Sequence, residues 1–457
     1  MTASSQSTEK IRTGEKFAYG CGDLASNLVL VLTSTYITFF YTDALGLNVG
    51  IIGSIVLFSR VFDGVTDILM GFIMDKTRSR HGKARAWMLW LAVPFGVATA
   101  LMMCVPAGWS DTAKYIYVFV SYNVTTTFLY TAINIPYGAL NSLMSRDQHE
   151  RESINVWRMT MAQLGSLMIN AFTLPLINAI GGSGNQKAWI IVSCIYGLAA
   201  CLLFLFCFAN TRERVHAVSD ANQKIGFGKT MQILMKNNNW LLICLIWVVM
   251  SLGLGLGMSV GTYYCKYHLG NENLYGFMSV VQTGVMLVFM LTMPFLIKKF
   301  GKRNVALVGS VLYTIAQALM LVSPLSVPWL MFCAALKGAS MSTLTATIFA
   351  MVADTIEYGQ WKTGVRVEGT LYSATTFGAK IGAGVGMALA SSILGAAGYD
   401  GLAAVQNDAA MSALSNLFLI APILVNAFIP VVLYFYKLDK IYPQVMRELT
   451  AREQEQN

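Results

Sequence analysis

The stretch Ser59–Gly71, SRVFDGVTDILMG, sets Arg60, Asp63 and Asp67 inside an apolar run that begins near Asn48. Asp63 and Asp67 are four residues apart. At 3.6 residues per turn they share one helical face, about 6 Å apart along the axis. A carboxylate at bilayer depth costs about 2.5 kcal/mol or more, and two on one face also repel each other. A chain that keeps both needs something to neutralise them. Oxygen-only ligands suit a hard cation such as Na⁺, and a shared proton serves equally. Thr66, next to Asp67, adds a hydroxyl oxygen. The structural alternative is a charge network, with Arg60 pairing Asp63 at i,i+3 spacing and a lysine elsewhere pairing Asp67.

The surroundings make a membrane setting hard to avoid. Of 457 residues, 55% are apolar and only 12% charged, against about 25% charged in soluble domains. The first sixteen residues, MTASSQSTEKIRTGEK, are polar and lack the apolar centre of a secretory signal. They are expected to form a cytoplasmic tail. The eight cysteines lie mostly in apolar runs with no CxxC pair, and read as small buried hydrophobes. His81, His149, His216 and His268 are far apart. No nucleophile, base or metal cluster stands near the membrane, so an enzyme is not expected, nor a cofactor, nor a metal beyond a coupling Na⁺.

A helix needs roughly 20 apolar residues to cross a bilayer. Twelve candidates run over about 17–42, 48–74, 86–107, 113–142, 153–181 and 187–209, then about 238–266, 274–299, 303–324, 326–354, 367–397 and 410–436. The expected organisation is a tail (1–16), a six-helix bundle (17–209), a central loop (210–237), a second six-helix bundle (238–436) and a tail (437–457). Lys and Arg concentrate in alternate loops: Lys76 to Arg85, Arg212 to Lys236, Lys298 to Arg303, and the C-terminal tail. The positive-inside rule therefore puts both termini in the cytoplasm. The net charge of +9 belongs to these loops and is no nucleic-acid footprint. The expected partners are the bilayer and a small molecule, with a monomeric chain.

The halves echo each other. GFIMDKTRSRHGKAR follows the second span and PFLIKKFGKRN the eighth; LMSRDQHERESINVWR follows the fourth and MVADTIEYGQWKTGVRVEG the tenth. Matching charged loops at matching positions suggest parallel repeats of six helices.

Other polar residues lie within the spans. Tyr130 and Asn134 share a face in YTAINIP, with Thr131 beside them. Pro136 has no N–H for the carbonyl of Ala132, so a free carbonyl beside a threonine is one expected wall of a cation site. Arg158, Lys337 and Lys380 are intramembrane cations that should face the interior, and Thr376 stands one turn before Lys380. Their structural alternative is counter-charge to Asp63 and Asp67. Asp23 and Asn27 form another i,i+4 pair; Asn27 could hydrogen-bond a hydroxylated ligand. Gly378, Gly382 and Gly386 have the small-xxx-small spacing of close helix packing.

In order along the chain, YGCGDLASN, FFYTDALGL, SRVFDGVTD, TRSRHGKAR, YTAINIPYGAL, HERESINVWR, VADTIEYGQWKTGVR and GAKIG resemble the glycoside–pentoside–hexuronide:cation symporters, relatives of melibiose permease. The resemblance implies an all-α membrane protein with the major facilitator fold: twelve transmembrane helices in two pseudo-symmetric six-helix bundles, with the site between halves. It implies that Asp63 and Asp67 hold the coupling cation, Na⁺ or H⁺, with Thr131 from the fourth helix. Arg158 and Lys380 match the family's helix-five arginine and helix-eleven lysine. Melibiose permease has an asparagine where this chain has Thr66, galactoside-binding aspartates where it has Asn27 and Asn134, and tryptophans where it has Gly138 and Thr345. Melibiose is therefore not the expected substrate, and the loss of two acids while Lys337 is kept suggests an anionic glycoside such as a hexuronide.

The resulting expectation is cation-coupled sugar symport by alternating access. Asp63, Thr66, Asp67 and Thr131 would bind the cation. Asn27, Tyr130, Asn134, Arg158, Lys337, Thr376 and Lys380 would bind the sugar. Asp75, Arg78, Asp354, Glu357 and Arg366 would latch the cytoplasmic side, although charges at these places are also what positive-inside topology alone would leave. A lysolipid or other amphiphile carrier of the same fold is the alternative.

Overall fold

The structure is a computed structural model, and it describes residues 11–145, 148–214, 234–364, 368–403 and 405–456. Within them it is helical throughout. In chain order the helices are α1 (Thr13–Ala44), α2 (Val49–Lys76), α3 (Arg85–Leu101), α4 (Asp111–Met144), α5 (Gln148–Ile180) and α6 (Gln186–Asn210). Then come α7 (Asn238–Leu269), α8 (Asn273–Met290, resumed as Met293–Phe300), α9 (Lys302–Leu319), α10 (Val327–Thr363), α11 (Glu368–Ala396), α12 (Asp408–Phe435) and α13 (Leu438–Gln456). The chain divides into two compact units near Ser219, the first also taking in Asp400–Ala403.

Ten of these helices are long and apolar enough to cross a membrane among the described residues. The third and ninth expected spans fall short of that measure. α3 is apolar but has 17 residues. α9 opens on Lys302, Arg303 and Asn304 and carries the buried Gln317, whose amide donates to Phe418 O at 2.9 Å.

The starts and stops are local chemistry. Asn48 Oδ1 accepts from the N–H groups of Gly50 and Ile51 at the head of α2. Asn237 and Asn407 do the same for α7 and α12, because a short amide side chain can satisfy orphan N–H groups of a first turn. Gly270 and Gly364 end α7 and α10 in the left-handed region, at φ 70° and 71°, which a residue without Cβ enters freely.

Side-chain placement follows lipid rather than water. On α6, Ile191, Ile195, Leu198 and Leu202 are exposed at helical spacing, while Trp189, Val192, Ala200 and Phe204 are buried. The first unit's core joins Tyr19, Met88, Phe95, Ile133, Tyr137 and Phe204. The second unit's core joins Trp240, Ile243, Leu344, Met351, Ile429 and Leu438. Between α7 and α11 the backbones nearly touch. A Cβ on Gly382 would stand 2.4 Å from Val248 O, and one on Gly386 2.3 Å from Leu252 O. The small-residue stripe is thus a packing device, as its spacing suggests.

Candidate functional site

In the first unit several polar side chains of α1, α2, α4 and α5 are buried or half-buried. On α2, Asp63 is 4% exposed. Arg60 Nη1 stands 3.4 Å from Asp63 Oδ2, the i,i+3 pair its spacing predicts. The other oxygen, Asp63 Oδ1, is buried and accepts no hydrogen bond among the described residues. One turn on, Asp67 Oδ1 accepts a 2.9 Å hydrogen bond from Thr131 Oγ1 on α4. Between the acids, Thr66 Oγ1 lies 3.1 Å from Asp63 O and 3.4 Å from Thr127 O. Of the four residues expected to bind a cation, Asp67 and Thr131 touch directly, the Thr66 hydroxyl faces backbone carbonyls, and Asp63 pairs with Arg60.

The helix-four carbonyl that the Thr66 hydroxyl meets is that of Thr127. The helix runs unbroken through Pro136, and the irregularity lies upstream, in a wider π-helical turn over Asn123–Leu129. Thr125 and Thr126 hydroxyls bond back to Ser121 O and Tyr122 O. Hydroxyls of this kind re-satisfy backbone groups that an irregular membrane helix would leave bare.

On the α1–α5 side, Arg158 Nε donates to Asp23 Oδ2 at 3.0 Å. The same guanidinium stands 5.4 Å over the Tyr137 ring. Asn27 Nδ2 donates to Asp23 O at 2.8 Å. Asn134 Oδ1 is buried with no hydrogen bond among the described residues. Tyr130 lies within electrostatic reach of Asp23, Arg158, Arg60 and Asp67. The predicted ligands Asn27, Tyr130, Asn134 and Arg158 thus gather in one unit. Asp23, which is not among the predicted ligands, is what joins two of them.

In the second unit Lys337 Nζ on α10 stands 5.4 Å over the Tyr313 ring, with no carboxylate in salt-bridge range among the described residues. Thr376 and Lys380 are half-buried, one turn apart on α11. Their neighbour Thr375 faces α7, accepting from Trp240 Nε1 at 3.0 Å.

Of the expected latch residues, Asp354 is paired with Lys302 at 2.7 Å, and Glu357 accepts from the Tyr442 hydroxyl of α13. Burial, reinforced by Glu357, pushes the Tyr442 phenol upward, so it is the donor at neutral pH. Arg78 is exposed. Arg366 and the side chain of Asp75 lie outside the described residues. Partners missed by sequence reading include Asp439, whose Oδ2 accepts from the Arg303 N–H at 2.8 Å, and Glu213, which accepts from the N–H groups of Lys83, Ala84 and Arg85.

Buried paired acids, intramembrane arginines and apolar outer faces define a membrane-spanning transporter. The model of the MFS/sugar transport protein family matches residues 18–440. The isoprimeverose transporter of Lactiplantibacillus pentosus is 32% identical over 447 residues, 97% of this chain and 92% of that protein. The uncharacterized symporter YnaJ of Bacillus subtilis (strain 168) is 33% identical, covering 98% and 97%. Among solved structures, a bacterial homolog of the human lysosomal transporter Spinster superposes with a TM-score of 0.67 at 12% identity, over 94% of this chain and 97% of that one. That likeness shows a shared fold, and the family model identifies it as the major facilitator fold. The chain belongs to the MFS/sugar transport protein family, within the glycoside–pentoside–hexuronide:cation symporters. It is a multi-pass membrane transporter and not an enzyme.

Proposed function

We propose that this protein carries a glycoside, pentoside or hexuronide across the cytoplasmic membrane by alternating access, driven by symport of Na⁺ or H⁺. One observation carries the reading. The Asp67–Thr131 hydrogen bond joins α2 to α4, one turn from a buried carboxylate oxygen of Asp63 that makes no hydrogen bond among the described residues. Buried carboxylates without enough partners are costly, and a small cation bound by Asp63, Thr66, Asp67 and Thr131 removes that cost. The name of the isoprimeverose relative supports a sugar as cargo.

The proposed sugar ligands are Asn27, Tyr130, Asn134, Arg158, Lys337, Thr376 and Lys380. Coupling of about 1–3 kcal/mol between cation and sugar is ordinary and reciprocal. The basic loops support cytoplasmic termini. Asp75, Arg78, Asp354, Glu357 and Arg366 would latch that side, Asp354 and Glu357 through the ties to Lys302 and Tyr442.

The test is uptake and counterflow in vesicles with a glycoside panel at varied Na⁺ and pH. Ion-dependent accumulation should vanish when Asp63→Asn and Asp67→Asn are combined. Its survival in that double variant would sink the reading.

A further inference from the structure

The expectation of an anionic sugar rests on acids absent at Asn27 and Asn134 while Lys337 is kept. Within the first unit, which does not contain Lys337, Asp23 changes that reckoning. It lies one turn before Asn27 on α1, is 7% exposed, and binds two of the sugar-site side chains at once. Its carboxylate accepts from Arg158 Nε at 3.0 Å, and its carbonyl accepts from Asn27 Nδ2 at 2.8 Å.

The guanidinium is then fixed from a third helix. It stands over Tyr137 of α4. That ring stacks on Tyr19 of α1 at 4.6 Å, and the two tyrosines exchange hydroxyl-to-carbonyl hydrogen bonds of 3.1 and 2.8 Å. With Nε used and one face covered, the terminal Nη groups of Arg158 donate no hydrogen bond to the described residues. They remain as donors, and Asn134 Oδ1 remains as an acceptor.

A guanidinium whose charge is already balanced is a poor trap for an anion but still a good hydrogen-bond donor. Arg60 is likewise paired, with Asp63. We infer that Asp23 is a positioning residue that sets substrate charge: by balancing and aiming Arg158 it makes the site select an uncharged, hydroxylated sugar, a neutral glycoside or pentoside, over a hexuronide. This rests on the sugar-transport reading above and narrows it.

The test uses the full-length protein in proteoliposomes with two probes, a neutral methyl pentoside and a methyl glucuronide. The wild type should favour the neutral probe at least tenfold in kcat/KM. Asp23→Asn should cut that preference at least tenfold, through a lower KM for the glucuronide together with a higher KM for the neutral probe, with the activating cation concentration unchanged. Asp23→Glu should restore it. A merely structural carboxylate would lower both sugars together and leave their ratio alone. If Asp23→Asn does not fold, combining it with Arg158→Gln removes both buried charges, and that variant should weaken neutral-sugar uptake without gaining glucuronide uptake. A wild type that prefers the glucuronide, or an unchanged ratio in folded Asp23→Asn, overturns the inference while leaving symport standing. A wild type that moves neither probe, nor any sugar of the wider panel, overturns the transport reading and this inference with it.

Discussion

The Thr131 hydroxyl on α4 reaches the Asp67 carboxylate on α2 at 2.9 Å. A hydrogen bond to a charged group contributes about 1.5–3 kcal/mol. If the same oxygens receive the cation, Thr131→Ala should raise the Na⁺ or H⁺ concentration for half-maximal uptake about tenfold or more. Thr131→Ser, which keeps the oxygen, should stay near wild type. Titration of initial uptake rates against Na⁺ and pH reads this directly, and an unshifted Thr131→Ala curve would count against a cation at this place.

How much of this site a reader of sequence can reach depends on chain separation. Arg60 and Asp63 are three residues apart on one helix, so their pairing is legible. The glycine stripe on α11 is legible for the same reason. Arg158 and Asp23 are 135 residues apart, and the buried acids had Arg60, Arg158, Lys337 and Lys380 to choose among; spacing within helices cannot make that choice. The approach of Asp67 to Thr131 came from family resemblance, not from periodicity. The π-helical turn of α4 was also hidden, because Pro136 looked like the irregularity. The signal was the run Thr125–Thr127, whose hydroxyls compete for backbone carbonyls. The Lys302, Asp354, Tyr442 and Asp439 group draws on three distant segments, and only the fold assembles it.

The α7–α11 contact separates glycines that look alike in sequence. A Cβ added to Gly382 or Gly386 would meet a backbone oxygen at 2.4 or 2.3 Å, whereas one added to Gly378 would meet a Val248 side-chain methyl at 3.1 Å. A methyl can rotate away and a carbonyl cannot. Gly382→Ala and Gly386→Ala should each cost about 1–3 kcal/mol through overpacking, and Gly378→Ala much less. Thermal unfolding in detergent measures the order; Gly378→Ala as the worst of the three would contradict the packing described.

Tyr19 and Tyr137 clamp α1 to α4 by a stack and two reciprocal hydrogen bonds. Tyr19→Phe and Tyr137→Phe keep the rings and remove one bond each, so each should lower stability by about 0.5–1.5 kcal/mol. Gly22→Ala is the harsher change, since its Cβ would stand 2.4 Å from a Tyr137 ring carbon. Unfolding temperatures should fall further for Gly22→Ala than for either phenylalanine variant.

Around Lys302 the second unit holds its terminal helix by charge and by burial together. Both Asp354 oxygens lie 2.7 Å from Lys302 Nζ, and Asp354 is nearly shielded while Lys302 is 29% exposed. Lys302→Met alone would strand a buried carboxylate. Breaking a fully buried pair from one side costs about 3–5 kcal/mol, and the exposed flank of Lys302 should hold the loss to the lower part of that range or below. Removing both charges, as Lys302→Met with Asp354→Leu, should recover most of it. α13 adds Asp439 on the Arg303 N–H, Glu448 on the Trp361 indole at 2.7 Å, and the buried Leu438, Val445 and Leu449. Truncation after Lys437 should therefore destabilise at least as much as Lys302→Met. A thermal-unfolding double-mutant cycle across Lys302 and Asp354, run with and without α13, separates the two contributions. Additive single effects with no coupling would mean that the pair contributes nothing beyond its separate side chains, and a coupling that is unchanged without α13 would mean that the helix does not support it.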